Sequence, residues 1–165
     1  MILENQNYLT PTRATFSLSQ LDNVSFTVTR WNLPGVNTGA PRQPTPFTDI
    51  PHRGDKLVFE QLEIEFIVTE DLLNWTSIYD WLVGITAPRH PSEFINRPHT
   101  YMDADLHVYS SHNNKIMTMT FKNLTPIQLS SIPFSSEDNE TTYVKASAVF
   151  EYQTYDITRE LTITP

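Results

Sequence analysis

The chain offers five histidines for metal or proton chemistry, His52, His90, His99, His107 and His112. None stands at a chelating spacing. His107 and His112 are five apart across a turn expected at Ser110-Ser111, and they read as surface residues flanking a hairpin. Carboxylates cluster as Glu60/Glu63/Glu65, Glu70/Asp71, Asp103/Asp105 and Glu137/Asp138/Glu140. Acid–base catalysis needs two such groups converging in a pocket that separates their pKa values. Glu63 and Glu65 alternate with apolar neighbours, which puts them on the wet face of a strand. Asp138-Asn139 reads as a hairpin turn. Asp103-Ala104-Asp105 lacks the downstream Gly and Glu of a calcium loop, so no metal is assigned to it.

Nucleophiles are equally bare of context. No Ser sits in a G-x-S-x-G elbow, four scattered glycines make no phosphate cradle, and the absence of Cys removes thiolate chemistry and disulfides. Arg53-Gly54-Asp55 reads as a tight turn into the strand that follows. Trp31, Trp75 and Trp81 with the seven tyrosines could form a ligand platform, but most of them read as core or interface anchors. No catalytic residue, metal or cofactor is expected.

Composition narrows the class further. At 165 residues the chain matches one domain, 1–165, with enough length for a real core. Its net charge of −8 lacks the basic footprint of a phosphate-gripping nucleic-acid binder. No apolar run is long enough to span a membrane, and the first residues carry no secretory pattern. The four Asn-x-Ser/Thr sequons, at Asn23, Asn74, Asn123 and Asn139, follow from the hydroxyl content. The 21 Thr and 12 Ser favour strands and turns.

Period-two alternation dominates the pattern. Ala14/Phe16/Leu18, Val24/Phe26/Val28, Leu62/Ile64/Phe66/Val68, Leu106/Val108, Met117/Met119/Phe121 and Val144/Ala146/Ala148/Phe150/Tyr152 each alternate with polar residues. Such patterns mark antiparallel strands with one buried face. Two strands look long, 56–68 and 141–154. The first changes phase near Glu60-Gln61, where a bulge is expected. One helix is expected over 70–83, capped by Thr69 or Glu70 with Asp71 in its first turn. Leu72, Trp75, Ile78, Tyr79 and Leu82 form its packing stripe, and Gly84 ends it. Residues 32–55 hold five Pro and three Gly and read as an extended hairpin arm. Residues 87–100 form a second irregular connection. The fold class is therefore mainly β, an antiparallel sandwich or partial barrel with one flanking helix and a long Pro-rich arm.

This order of elements resembles the tail tube proteins of contractile-tailed bacteriophages. Trp31-Asn32 runs into Leu33-Pro34-Gly35, a Pro-containing arm follows, and Arg53-Gly54-Asp55 closes it. Then come the strand 57–68, the Thr69-Glu70-Asp71 helix start and Tyr79-Asp80-Trp81-Leu82. Ala104-Asp105-Leu106-His107-Val108-Tyr109, Phe121-Lys122-Asn123-Leu124-Thr125-Pro126 and the final strand 144–155 complete the match. The resemblance spans about 10–157. It implies homohexameric rings stacked into a tube inside a sheath, between baseplate and terminator proteins, with DNA passing without specific binding and no membrane partner. It implies a virion location after assembly in the host cytoplasm. The arm, with Leu33, Pro34, Gly35, Arg42, Arg53, Gly54 and Asp55, becomes an inter-ring clasp. Glu63, Glu65 and Glu151 become lumen or ring-contact charges. A ring adaptor or initiator shares this fold. A β-sandwich binding module and an acid–base hydrolase stay open at this point.

Overall fold

Alternating hydroxyl and apolar residues build a pleated surface with one wet face, and most of this chain follows that rule. The computed structural model describes residues 13–21, 25–86, 100–132, 134 and 143–160. In chain order it contains β1 (Arg13–Leu18), β2 (Ser25–Trp31), β3 (Val36–Asn37), β4 (Arg42–Gln43), β5 (Ile50–Pro51), β6 (Val58–Phe59), β7 (Leu62–Ile67), α1 (Leu73–Thr86), β8 (Met102–Tyr109), β9 (Lys115–Leu129), β10 (Lys145–Glu151) and β11 (Thr154–Arg159). Seven strands form one antiparallel sheet in the order β10-β7-β2-β1-β8-β9-β11. The far end of β9 also pairs with β10, so the sheet curls towards itself without becoming a closed barrel. The fold is mainly β with one helix, as the sequence implies.

The curled sheet encloses the core. Ala14, Phe16, Leu18, Phe26, Val28, Leu62, Ile64, Phe66, Leu106, Met119, Phe121, Ala146, Ala148 and Phe150 all face it. These are the alternating positions of the sequence pattern. Phe16 and Phe26 sit opposite each other across β1 and β2, with ring centroids 5.8 Å apart. Phe66 and Phe150 extend the ring contacts at 5.0 and 5.5 Å. Such edge and tilted contacts add specificity to the area buried.

Several element boundaries differ from the sequence expectation. The strand expected over 56–68 is two strands. β6 pairs with β3 and β7 with β2 and β10, so the chain changes partners at the phase break near Glu60-Gln61. The strand expected over 141–154 ends at Glu151, because the chain turns at Tyr152-Gln153 into β11, which pairs with β9. The longest strand is instead β9, at 15 residues.

The helix spans Leu73–Thr86 rather than 70–83. Its start is delayed by a tight turn in which the Leu72 N–H donates to the Thr69 carbonyl. Buried Asn74 ties that turn down. Its carboxamide accepts from the Thr69 N–H and hydroxyl at 3.2 Å each and donates to the Ile67 carbonyl at 2.8 Å. Leu72 therefore precedes the helix, in the left-handed region with φ 58°. The buried stripe is Asn74, Ile78 and Trp81, not one centred on Tyr79, which is 39% exposed. Trp75 and Leu82 pack at the edge of the core. Gly84 does not end the helix, because Ile85 still packs on the core one residue later.

The Asp138-Asn139 turn, the connection over 87–99, His90, His99, Val24 and the sequons Asn23 and Asn139 lie outside the described residues.

Candidate functional site

The Pro-rich stretch forms a two-part hairpin arm. β3 pairs with β6 at its root, and β4 pairs with β5 nearer its tip. Pro41, Pro44, Pro46 and Pro51 keep the backbone extended, and Pro cannot donate to a longer ladder. At Thr38-Gly39 the arm bends. Gly39 has φ +69°, and its N–H donates to the Asn37 Oδ1 at 2.7 Å. Gly54 lies opposite this bend. A Cβ there would sit 1.7 Å from the Thr38 carbonyl oxygen, so only glycine allows the two legs to meet.

Side chains from distant strands hold the arm root. Asn32 closes the neck: its side-chain NH2 donates to the Gln61 carbonyl at 2.9 Å, and its Oδ1 accepts from the Glu63 N–H at 2.7 Å. The Gly35 N–H donates to the Glu60 carboxylate at 3.1 Å. The Tyr155 hydroxyl donates to the Pro34 carbonyl at 3.1 Å, and the Tyr152 hydroxyl donates to the Glu60 carbonyl at 2.7 Å. The rings of Phe59, Phe121, Tyr152 and Tyr155 pack together beneath these bonds, with centroids 4.9–5.9 Å apart. Burial, with the nearby Tyr155 and Glu60, pushes the Tyr152 hydroxyl up to about 12. The sequence places Tyr152 and Tyr155 among the anchoring tyrosines but does not show that they hold the arm root. The signal was available in the aromatic pair astride Gln153-Thr154, where the strand alternation stops.

The arm residues named from the sequence are placed as follows. Pro34 is buried at the root, whereas Leu33 is 57% exposed beside it. Arg42 sits on β4 opposite Pro51. Arg53 and Asp55 are exposed on either side of Gly54. Their tripeptide does not lead straight into a strand, since β6 begins only at Val58. Among the described residues none of these charges forms an ion pair.

The wet face of the main sheet is the second feature. Cross-strand pairing aligns Thr27, Thr15, His107, Thr118 and Thr158 in one row across five strands. The next row runs Ser17, Asp105, Thr120 and Asp156, and the Thr120 hydroxyl donates to Asp105 at 2.7 Å. The His107 ring meets the Thr118 hydroxyl at 3.1 Å. No group of three or more His, Asp or Glu among the described residues could hold a metal ion.

Two lysines on this face are tied to carboxylates. Lys145 pairs with Glu65 at 3.1 Å, and Lys122 with Asp103 at 2.7 Å. Glu65 is held below the usual carboxylate range by the Thr29 hydroxyl and then by Lys145. Asp103 is held down by Lys122 and then by the Asn123 N–H, which donates to it at 3.1 Å. Asn123 has φ 53° and forms a bulge in β9, where the register against β8 shifts. Asp103 thus pins the point at which β9 leaves β8 and proceeds to β10.

The three glutamates expected as lumen or ring-contact charges lie in two grooves. Glu63 and Glu65 share a groove with Arg30 and Asn32. Glu151 lies in another groove with Tyr101 and Tyr152, and accepts from the Gln61 side chain at 3.3 Å. The stripe expected for helix packing divides as well: Trp75 donates its indole N–H to the Ser130 carbonyl at 3.1 Å, whereas Tyr79 stacks on Trp75 from the surface side.

The sequence model of a family described as phage tail tube protein matches residues 4–158. No curated protein matches the sequence. Solved structures share the fold. A chain of the anti-feeding prophage tube-terminating cap superposes with TM-score 0.67 at 12% identity, covering 95% of this chain and 95% of that one. A chain of an extracellular contractile injection system, the PVC sheath–tube complex in the extended state, gives TM-score 0.66 at 10% identity, covering 94% of each. Hcp1 from Salmonella typhimurium gives 0.56 at 12% identity, covering 92% of this chain and 89% of that one. At such identities the likeness shows the fold alone.

Proposed function

The chain belongs to the phage tail tube protein family, and from that premise we propose that six copies close into a ring and that rings stack into the inner tail tube through which phage DNA passes. Its role is structural, not enzymatic. The observation that carries the finer reading is the hydroxyl-and-acid face of the main sheet. A lumen wall must not hold the polyanion that moves past it. Free cations would bind phosphates and stall the strand, whereas fixed acids repel them. On this face Lys122 and Lys145 are neutralised in ion pairs, Arg30 stands across the β2–β7 pairing from Glu65 and Arg13 over the Tyr109 ring, while Asp105, Asp156 and Glu63 form no ion pair among the described residues. Contact with DNA is transient and unspecific.

The arm is the clasp between rings, with Leu33, Pro34, Gly35, Arg42, Arg53, Gly54 and Asp55 forming or flanking the contact. Glu63, Glu65 and Glu151 are lumen or ring-contact charges. The whole chain, 1–165, acts as one tube subunit. A tail sheath surrounds the tube, and baseplate or terminator proteins bound its ends. The protein assembles in the host cytoplasm and ends in the virion tail.

A second reading is a ring adaptor at one tube end, since a tube-terminating cap and a sheath–tube chain both carry this fold and the fold does not separate the two roles. Negative-stain electron microscopy at rising concentration, with light scattering for mass, tests both. Long hollow tubes support the main tube role, and single six-fold rings support the adaptor. A monomer at every concentration overturns self-assembly.

A further inference from the structure

We propose that Phe47, at the arm tip, is a knob that seats in an apolar groove of a second copy of this chain, with Asp49 of the first copy meeting Arg30 of the second. The proposal rests on the assembly reading above and assigns the residues that make the contact specific. Phe47 is 98% exposed, the most exposed large apolar residue among those described. It is not a loose side chain on a slack loop. Pro44 and Pro46 stiffen the backbone just before it, the Thr48 N–H donates to the Thr45 hydroxyl at 3.2 Å, and that hydroxyl donates to the Thr48 carbonyl. The β4–β5 pairing fixes the legs just behind this turn. A preset aromatic tip loses little conformational freedom on docking, which favours its use as an anchor.

The matching groove lies beside the arm root. Val108 and Met119 floor it, Trp31, Leu33 and Met117 wall it, and Arg30 stands at the rim. Its volume of about 440 Å3 leaves ample room for one aromatic side chain. Phe47 does not fill the groove of its own chain, since it is almost wholly exposed and the paired arm holds it outward. Arg30 lies near enough to Glu65 to help lower that carboxyl, yet forms no ion pair among the described residues, and neither does Asp49. An aromatic followed two residues later by an acid thus faces an apolar groove rimmed by a cation.

The wider charge distribution points to a second copy as the occupant. Residues 32–59 carry three basic and two acidic side chains, whereas the rest of the chain carries eight basic and seventeen acidic. With Lys56 at its base the arm carries a net charge of +1 against −9 for the remainder, so long-range attraction would steer it towards another copy.

The absence of cysteine makes the test clean. Phe47→Cys combined with Met117→Cys, oxidised after assembly, should give a ladder of covalent multimers on a denaturing gel, and neither single substitution should. Phe47→Ala should raise the concentration for half-assembly by about tenfold or more, the equivalent of losing one buried aromatic contact. Arg30→Asp and Asp49→Arg should each weaken assembly, and the two together should recover most of it. Circular dichroism of each variant checks folding, and these positions are exposed or lie on a groove wall. If the natural chain assembles while Phe47→Ala assembles equally well and no ladder forms, the knob is overturned and the tube reading stands. If the natural chain does not assemble at all, both fall.

Discussion

Asp103 illustrates how a single carboxylate acquires a structural role that its sequence neighbours do not announce. As part of Asp103-Ala104-Asp105 it invites a metal-site reading. In the fold it accepts from the Lys122 ammonium and from the N–H of Asn123, the bulge residue of β9. Both bonds favour the charged form, so its folded pKa lies below its unfolded value. Its contribution is therefore complete above the unfolded carboxylate pKa of about 3.9 and is lost as pH falls through the lower folded value. Urea titrations from neutral pH down to about pH 2–3, through the range where carboxylates titrate, should show Asp103→Asn losing less stability on acidification than the natural chain. An identical acid slope in both would show that the carboxylate does not hold the bulge. Tyr152 has the opposite sign. Its folded pKa is raised to about 12, so its neutral form stabilises the fold below the unfolded value, and this support is lost as pH rises from there towards 12. Tyr152→Phe should cost about 0.5–1.5 kcal/mol at neutral pH for the lost bond to the Glu60 carbonyl, and should flatten the alkaline fall.

At the scale of the element, the helix shows local pattern yielding to a specific tie. A Leu in the left-handed region costs roughly 1–2 kcal/mol, and nothing in the residue itself favours it. The Asn74 carboxamide compensates by satisfying the Thr69 N–H and the Ile67 carbonyl where strand gives way to helix. Asp71 adds a cap, accepting from the Leu73 N–H at 3.1 Å. Asn74→Ala should therefore cost about 1–3 kcal/mol in chemical denaturation, because it leaves polar backbone groups without partners in a buried place. A loss no larger than that of an exposed helix position would remove Asn74 as the clamp. The helix thus begins where a side chain permits it, and its buried stripe of Asn74, Ile78 and Trp81 follows from that start.

Across the whole molecule, the arm and the sheet are separable in stability but joined in the proposed function. The core lies within the curled sheet and the helix, and residues 37–50 contribute no buried residue to it. Deleting 37–50 should leave the melting temperature within a few degrees, about the shift expected for 1 kcal/mol in a chain of this size. The same deletion should abolish stacking of rings in electron micrographs. Tubes of normal length from the deletion variant would disprove the clasp, and loss of folding would show that the arm supports the core. Among the described residues β11 is an edge strand, which fits the same scheme, since an unpaired edge is tolerated where assembly covers it.

The alternation of residues by itself determined which face of each main strand is buried. Phe16, Phe26, Ile64, Phe66, Leu106, Phe121 and Phe150 were legible that way, because a period of two is local and needs no partner. The hairpin arm was legible too, since its prolines and glycines forbid anything more regular. Partners and breaks were not. Period two names a face but not the strand beside it, so the turn at Tyr152-Gln153, the bulge at Asn123 and the second pairing of β9 were decided only by tertiary contacts. The arm root makes the point most plainly: Tyr155 reaches a carbonyl 121 positions away in the chain, a separation across which no local pattern carries information.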